Sequence, residues 1–416
     1  MKLMKHQVEA LSWGEQHSKK IYALDMGLGK SCISLKTVQK GERVLIICPA
    51  TLKINWEIEV KLWTNIKNIT IIKKKSEEIS KKPGVYIVNY DLLGSKVKKR
   101  AKPNFDFKDF DRVIIDECHM IKNPKAVRTK IAGRIVKTTP NAVLLSGTLM
   151  ERPIDLYVPL FSIGALDMSY NSFGMKYCDP QKIYLGNREV WQFRGSSDPI
   201  GLNKILKKQT LIMYKENVID LPLRSISVVA LDLPVGRQEK NYSFTDIMKD
   251  PRPIGFEGLA ELLHEQALRK LPLAVKHIKM RLEDNFKIFI TARHTDVIEI
   301  LMDKLLDYGC VKLDGSCSAK QKQWAVDTFQ NNKNCRIFVG QTKASGVGIT
   351  LTAASHVILV EPDWSYSAIM QIVDRLHRIG QKNNVTAELL TIHDSIDERV
   401  LYTTLEKKGF IKEIMK

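Results

Sequence analysis

The sequence lacks an apolar run long enough to cross a membrane, and it lacks the apolar core of a secretory signal peptide. Its longest apolar stretches, residues 44–48 and 357–360, have only the length of buried strands, whereas a membrane-spanning helix needs about 20 apolar residues. The opening residues MKLMKHQ are polar. These absences predict an intracellular protein without a membrane partner, located in the cytoplasm of a prokaryotic or virus-infected cell or in a nucleus.

Cysteine is also scarce, and its spacing disfavours the common cysteine-based frameworks. The seven cysteines contain no CxxC pair, so we expect neither a disulfide framework nor a zinc site, and a reducing compartment is indicated. Acidic residues are few beside basic ones: 46 Asp and Glu against 65 Lys and Arg leave a formal net charge of +19. Because each phosphate neutralised by a lysine or arginine releases a condensed counterion, this excess predicts a polyanionic partner.

Short β-branched segments alternate with amphipathic segments along most of the 416 residues. Several are apolar on both faces, as in a parallel sheet covered by helices. The pattern predicts an α/β fold of two doubly wound parallel-sheet lobes, residues 1–218 and 219–416, with helical insertions at about 150–215 and 237–282. Residues 221–236 are expected to form an extended crossing. Strands are expected at residues 21–24, 43–48, 85–89, 112–116, 142–145, 286–290, 310–313, 335–339, 356–360 and 386–391.

The sharpest local signal is DMGLGKS at residues 25–31, which follows a predicted strand and precedes a predicted helix. Glycines at such a turn let backbone amides approach phosphate oxygens closely. Lys30 would supply a cation for the β- and γ-phosphates, and Ser31 a ligand for Mg²⁺. Leu24 stands where the general phosphate-loop pattern has its first glycine, so a simple glycine-rich turn is the alternative for this motif taken alone.

A second signal is VIIDECH at residues 113–119, a buried-strand pattern that ends in two carboxylates. At the carboxyl edge of a parallel sheet, Asp116 can hold magnesium while Glu117 polarises the attacking water. A lone acidic pair would more simply be an acidic turn. Because this pair follows a phosphate loop, the two motifs together predict nucleotide hydrolysis.

A third signal lies far downstream, in QIVDRLHRIGQ at residues 371–381. Arg375 and Arg378 are three residues apart, so on a helix they would project from one face. Two guanidinium groups on one face suit stabilisation of a γ-phosphate in the transition state. The alternative is a helix whose arginines form surface salt bridges.

Taken in order, these segments resemble the Swi/Snf family of superfamily-two helicase-like ATPases, which are DNA translocases. Leu149 departs from the proline that the family usually carries after its SGT motif. Finer features around residues 146–157 and 171–206 resemble the annealing-helicase-like branch. The matching segments, each similar to one family motif, are KHQ (5–7), DMGLGKS (25–31), CPATLKINWEIEVKLW (48–63), DECHMIKN (116–123), SGT (146–148), SGVGITLTAASHVILVEPDW (345–364) and QIVDRLHRIGQ (371–381).

The resemblance implies two RecA-like lobes, ATP and Mg²⁺ as cofactors, and double-stranded or branched DNA as partner. It implies catalytic roles for Lys30, Asp116, Glu117, Arg375 and Arg378, and magnesium ligation by Ser31 and Asp116. The implied ATP-binding residues are Gln7, Met26, Gly27, Leu28, Gly29, Lys30, Ser31, Gly346 and Gly348. The implied DNA contacts are Thr51, Lys53, Lys122, Asn123, Thr291, Lys343 and Trp364, for each of which a structural role is the alternative. The implied coupling residues are Ser146, Gly147, Thr148 and Gln371.

The function predicted in this way is an ATP-dependent motor that translocates on duplex DNA and remodels it, by fork or branched-DNA remodelling or by strand annealing. We expect a motor without accessory modules. One alternative is a strand-separating DNA or RNA helicase of the same superfamily, against which HRIGQ and the KN after DECH speak. The other alternative is a catalytically inactive nucleic-acid-binding scaffold, which the intact Lys30, Glu117 and Arg378 disfavour.

Overall fold

The computed structural model describes residues 2–98, 100–185, 188–232, 255–284, 287–346, 348–393 and 395–415. The chain forms two compact units, one of residues 1–219 together with 408–416 and the other of residues 220–407. Residues 233–254, which include the start of the second predicted insertion, lie outside the described residues. Over the described part of the chain, no helix has both the length and the apolar character required to cross a membrane.

The strands that the structure describes are numbered in chain order: β1 Lys19–Leu24, β2 Arg43–Cys48, β3 Ile69–Ile71, β4 Gly84–Asn89, β5 Gly94–Val97, β6 Arg100–Pro103, β7 Arg112–Asp116, β8 Asn141–Ser146, β9 Pro180–Leu185, β10 Arg188–Phe193, β11 Thr210–Met213, β12 Arg224–Leu231, β13 Ile288–Ala292, β14 Cys310–Leu313, β15 Ile337–Gln341, β16 His356–Leu359 and β17 Val385–Ile392.

The α-helices in the same part of the chain are Lys5–Glu15, Lys30–Lys36, Lys53–Trp63, Val127–Thr138, Tyr157–Ser162, Tyr170–Tyr177, Pro199–Lys207, Lys215–Val218, Gly255–Asp284, Thr295–Lys304, Ala319–Asn331, Thr342–Ser345, Tyr366–Val373 and Ile396–Ile414. Short 3₁₀ helices are Ala50–Leu52, Tyr90–Leu92, Cys118–Ile121, Pro153–Leu156 and Leu306–Tyr308.

A sheet of seven parallel strands, in the order β11-β1-β8-β7-β2-β4-β3, forms the centre of the first unit. Its strands are covered on both faces, and β2 shows why. Leu45 and Ile47 pack into one apolar cluster, whereas Val44 and Ile46 pack into another. Successive side chains of a strand point to opposite faces, and each buried aliphatic side chain contributes about 1.5–3 kcal/mol. Every residue of β2 is therefore buried.

The second unit contains a six-stranded parallel sheet in the order β12-β17-β16-β13-β15-β14. The predicted fold class, two parallel-sheet α/β lobes, is thereby confirmed. Strands β13 and β15 lie two residues later than expected. They continue to pair with each other through two further residue pairs, Thr291 with Gly340 and Ala292 with Gln341. Backbone pairing, which side-chain hydropathy does not reveal, determines where these strands end.

Two other segments differ from the sequence-based expectation. The extended crossing contains β12, which pairs with β17 from Arg224 to Leu231 and forms an edge of the second sheet. The segment 150–215 was expected to be helical, but it also contains the antiparallel hairpin β9–β10 and the strand β11, which pairs with β1. At β11, pairing with the distant strand β1 overrides local propensity.

Candidate functional site

Three neighbouring parallel strands of the first unit, β1, β8 and β7, bring the sequence motifs to one edge of the sheet. Ser146 at the end of β8 is in register with Ala23 of β1. Asp116 at the end of β7 is in register with Leu145 of β8. The DMGLGKS loop, the SGT motif and the two carboxylates therefore follow the carboxyl ends of adjacent strands, where parallel α/β sheets bind their ligands.

The phosphate loop is shaped by glycines and supported by the first helix. Gly27 and Gly29 have φ angles of +88° and +80°, a left-handed conformation that costs glycine little. A Cβ on Gly29 would also collide with the side-chain amide of Gln7. The carbonyl oxygen of Leu28 lies 3.1 Å from His6 Nε2 and accepts a 3.5 Å hydrogen bond from Gln7 Nε2. His6, which the sequence did not single out, thus helps to hold the loop.

Lys30 lies within this loop and is close to the SGT motif. Its ammonium group donates to the carbonyl oxygens of Leu24 at 2.7 Å and Asp25 at 3.2 Å. A Cβ on Gly147 would lie 3.0 Å from Met26 Cγ and 3.5 Å from Lys30 Nζ. Glycine at position 147 therefore allows the motif after β8 to approach the lysine closely.

Asp116 is buried, and several groups determine its orientation. Its Oδ2 accepts a 2.8 Å hydrogen bond from Trp56 Nε1, and its Oδ1 accepts one from the Glu117 backbone amide at 3.0 Å. The Tyr90 hydroxyl donates to the Asp116 carbonyl oxygen at 2.5 Å. Burial and the neighbouring Glu117 raise the pKa of Asp116, while the Trp56 hydrogen bond and the Lys30 charge oppose that shift. Trp56 and Tyr90 were not among the predicted site residues.

Glu117 and His119 connect the carboxylate pair to the SGT motif. Glu117 has φ +53°, an uncommon left-handed conformation for a residue other than glycine. His119 Nδ1 lies 3.3 Å from both Glu117 Oε2 and Ser146 Oγ. Ser146 Oγ in turn donates to the Thr148 carbonyl oxygen at 2.8 Å. A continuous polar chain thus joins Glu117 to the SGT motif.

The residues present at this edge fit a magnesium-bound nucleotide. A lysine ammonium lies in a loop of left-handed glycines, which matches phosphate chemistry. A hydroxyl (Ser31) and a buried carboxylate (Asp116) are oxygen donors of the kind that magnesium prefers. The DMGLGKS loop and the DECH segment thus follow β1 and β7, which are separated in the sheet only by β8.

The second unit brings Gly346, Gln371 and Arg375 together. Arg375 is 3% exposed, and its guanidinium donates to the Gly346 carbonyl oxygen and to that of Ile349 at 3.4 Å. A Cβ on Gly346 would lie 3.6 Å from Gln371 Oε1. The predicted segments 345–364 (motif V) and 371–381 (motif VI) are therefore packed against each other.

The expectation that both arginines lie on one helix is wrong, because the helix Tyr366–Val373 ends before them. Tight turns follow, with Arg375 N bonded to the Ile372 carbonyl and Arg378 N to that of Leu376. Arg378 donates through Nε to the Asp374 carbonyl at 2.8 Å and through Nη1 to Thr350 Oγ1 at 3.0 Å. Their spacing is thus set by turns and side-chain contacts.

The family described as SNF2-related domain matches residues 6–243, more than half of the chain. The chain belongs to the SNF2-related family. The helicase conserved C-terminal domain matches residues 267–380. The resemblance predicted from the sequence is confirmed.

Curated relatives share the SNF2-related core over nearly the whole of this chain. The human "DNA annealing helicase and endonuclease ZRANB3" is 28% identical over 433 residues, which cover 98% of this chain and 40% of the relative. A Caenorhabditis elegans homologue of "SWI/SNF-related matrix-associated actin-dependent regulator of chromatin subfamily A-like protein 1" is 28% identical over 98% of this chain and 61% of its own. This chain thus spans about two fifths of the length of the ZRANB3 proteins.

Among solved structures, the Sulfolobus solfataricus SWI2/SNF2 ATPase core in complex with dsDNA aligns with a TM-score of 0.43 and 21% identity, covering 100% of this chain and 93% of that one.

The candidate DNA contacts of the first SNF2-related unit differ in accessibility. Thr51 is exposed on a 3₁₀ helix. Lys53 Nζ donates to Asn89 Oδ1 at 3.1 Å. Lys122 Nζ lies 3.7 Å from carboxylates of Glu151 and Asp155. Asn123 Oδ1 accepts from the Lys125 backbone amide. Thr51 is thus exposed, whereas the other three have bonds within the protein.

The candidates of the second unit also differ. Lys343 is exposed. Thr291 is completely buried, which favours a packing role over a DNA contact. Trp364 is half-buried against a small apolar cluster that contains Leu263 and Val400, which favours its structural alternative. Gly348 is exposed, with φ +71°.

Proposed function

We propose that this SNF2-related chain is an ATP-dependent motor that translocates on double-stranded DNA and remodels it. The observation that carries the proposal is the convergence of Lys30, Asp116 and Ser146 at the carboxyl edge of adjacent parallel strands. The family match over residues 6–243 supports the same function. A binding scaffold without catalysis would not require a lysine in a glycine-rich loop beside two carboxylates.

ATP and Mg²⁺ are the proposed cofactors. Lys30 would bind the phosphates and Gln7 would face the adenine. Ser31 and Asp116 would hold the metal. Bound Mg²⁺ would neutralise charge on the phosphate oxygens. Glu117 would orient and polarise water. Its contact with His119 Nδ1, which lies 3.3 Å from both Glu117 Oε2 and Ser146 Oγ, would couple this carboxylate to the SGT motif.

Arg375 and Arg378 are proposed to stabilise negative charge on the transferred phosphoryl group. Arg375 also donates to the carbonyl oxygens of Gly346 and Ile349, so we assign it a second role in positioning motif V. Arg378, which has a side-chain bond to Thr350, is the stronger candidate for a residue that acts only at turnover.

The proposed partner is double-stranded or branched DNA, inside the cell. The net charge of +19 supports a polyanionic partner. Thr51, Asn123 and Lys343 are the candidate contacts that are exposed and so accessible to a phosphate backbone. Because a relative is described as a DNA annealing helicase, we propose branched-DNA remodelling or strand annealing as the finer activity.

ATP hydrolysis by the full chain, measured in parallel without nucleic acid and with duplex, forked, single-stranded DNA or RNA, tests the proposal. Duplex or forked DNA should raise the rate strongly, and the apparent affinity should fall with salt with a log–log slope of about −0.9 per phosphate contact. Lys30→Ala controls for contaminating ATPases. A rate indifferent to DNA, or raised only by RNA, would contradict the proposal. Release of an unpaired strand would favour the strand-separating helicase.

A further inference from the structure

The antiparallel hairpin β9–β10 presents an aromatic and cationic face that the nucleotide site does not use. Lys182 is paired with Trp191, and Tyr184 with Glu189. Because alternate residues of a strand share a face and paired residues lie side by side, these four side chains lie on the same face. Tyr184 is 65% exposed and Trp191 is 44% exposed. Two aromatic rings thus remain open to solvent on one small surface.

The base of the hairpin is anchored in the first unit. Phe193, paired with Pro180, is buried and has its ring centroid 6.0 Å from that of Tyr170. A Cβ on Gly174 would come within 2.6 Å of the Phe193 ring, so the glycine lets the helix Tyr170–Tyr177 pack directly on it. Anchoring at the base leaves Tyr184 and Trp191 exposed on a supported strand pair instead of packed against the core.

The one lysine on this face lies close to an aromatic ring. Lys182 Nζ lies over the Trp191 ring, 5.4 Å from its centroid. The acidic neighbour Glu189 accepts hydrogen bonds from Tyr184 Oη at 3.1 Å and Lys182 Nζ at 3.3 Å, so its charge is partly compensated. On the face itself Lys182 and Glu189 balance in charge. The basic excess of residues 176–194, four lysines or arginines against two acidic residues, comes from the residues around the face. Aromatic rings beside cations are the usual binding surface for unpaired nucleobases and their phosphates.

A protein partner fits this face less well. The aliphatic pair Ile183 and Val190 lies on the opposite face of the hairpin, because the two residues are in register with each other and alternate with Tyr184 and Trp191. The aromatic face therefore lacks the contiguous apolar core on which protein interfaces depend. Trp191 instead has the Lys182 cation over its ring, as in nucleic-acid sites.

We propose that this face of the hairpin binds the unpaired bases of single-stranded arms in branched DNA, by stacking on Trp191 and Tyr184 while Lys182 faces the phosphate backbone. The inference rests on the proposed function, since it names the DNA structure that the motor prefers. A blunt duplex keeps its bases stacked and paired, so it offers these rings nothing to bind. The hairpin thus adds a preference for forks to a motor that also acts on duplex.

Fluorescence anisotropy on the full chain tests this site, with a labelled fork carrying single-stranded arms and a blunt duplex of equal length. In the double variant Tyr184→Ala/Trp191→Ala, fork affinity should fall about tenfold or more, while duplex affinity stays unchanged. The control Val190→Ala changes an exposed side chain on the opposite face and should change neither affinity. Tyr184→Phe/Trp191→Phe keeps both rings and should keep most fork affinity.

Fork binding that is intact in the alanine double variant would overturn the inference, as would equal losses for fork and duplex or an equal loss in Val190→Ala. If the alanine double variant has a lower melting temperature than the wild type, the inference is tested on the wild type instead. The fluorescence of 2-aminopurine in an unpaired arm of the fork should be quenched on binding, and unchanged emission would overturn the inference. Duplex-stimulated ATP hydrolysis is measured on the same preparations. Its absence in the wild type would overturn the proposed motor function, whereas its retention with unaltered fork preference would overturn only the hairpin site.

Discussion

Replacing Trp56 by phenylalanine would remove the indole N–H that donates to Asp116 Oδ2 at 2.8 Å while keeping an aromatic ring in the buried site. A hydrogen bond to a charged group contributes about 1.5–3 kcal/mol. At about 2–4 °C per kcal/mol for a unit of this size, the melting temperature should fall by about 3–12 °C. Asp116 would also lose the donor that fixes the orientation of its carboxylate.

The functional consequence should appear in the magnesium dependence of hydrolysis. Loss of a group that orients a metal ligand typically costs about 10–100-fold in metal affinity or activity. We therefore expect Trp56→Phe to need more Mg²⁺ for half-maximal ATP hydrolysis and to turn over more slowly at saturation. A magnesium titration of DNA-stimulated turnover, together with thermal melting of the same samples, measures both effects.

Trp63→Phe is the matched control, since Trp63 Nε1 donates to Glu59 Oε2 at 2.7 Å on the same helix but away from Asp116. Loss of the Trp63–Glu59 hydrogen bond should lower the free energy of unfolding by about 0.2–0.5 kcal/mol, as for other pairs four residues apart on a helix. It should leave the magnesium dependence of hydrolysis unchanged. If Trp56→Phe has the magnesium dependence of the control, Trp56 acts only through packing and the positioning argument fails.

Three further outcomes are expected. Glu117→Gln should bind ATP but hydrolyse it very slowly, because the amide keeps the size of the carboxylate and loses its basicity; near-normal single-turnover rates would assign water activation elsewhere. Arg378→Ala should lower turnover by about 10³–10⁵-fold with little change in ATP affinity, and intact turnover in this variant would refute the role of Arg378. Arg375→Ala should lower the melting temperature as well as turnover, because it leaves the carbonyls of Gly346 and Ile349 without their donor. Burial alone would raise the pKa of Glu388, but three basic neighbours hold it well below its ordinary value of 4.5: His277, His356 and Arg281. A carboxyl with a lowered folded-state pKa stabilises the protein above its unfolded-state pKa, so the stability gap between wild type and Glu388→Gln in chemical denaturation should shrink as pH falls below about 4.5; a gap that is constant from pH 7 to 3 would contradict this.

The features that the sequence determined alone are those with a local physical cause. Strand β2 was predicted with its observed bounds because residues 44–48 form a short continuous apolar run, which is typical of a strand covered on both faces. Gly29 was predicted in a phosphate loop from the DMGLGKS motif, and the structure gives it a left-handed conformation next to Gln7 that costs glycine little. Ordered motifs of this kind also identified the family.

Only the tertiary structure decided which distant groups meet. Nothing near Trp56 in the chain indicates that its indole bonds to Asp116, sixty residues away, and nothing near residue 224 indicates that β12 pairs with β17. Arg375 was predicted on a helix, but the structure ends that helix at Val373 and turns the arginine towards the carbonyls of motif V. Partners separated by long stretches of chain are selected by packing and by the need to satisfy buried polar groups, and these depend on the folded whole.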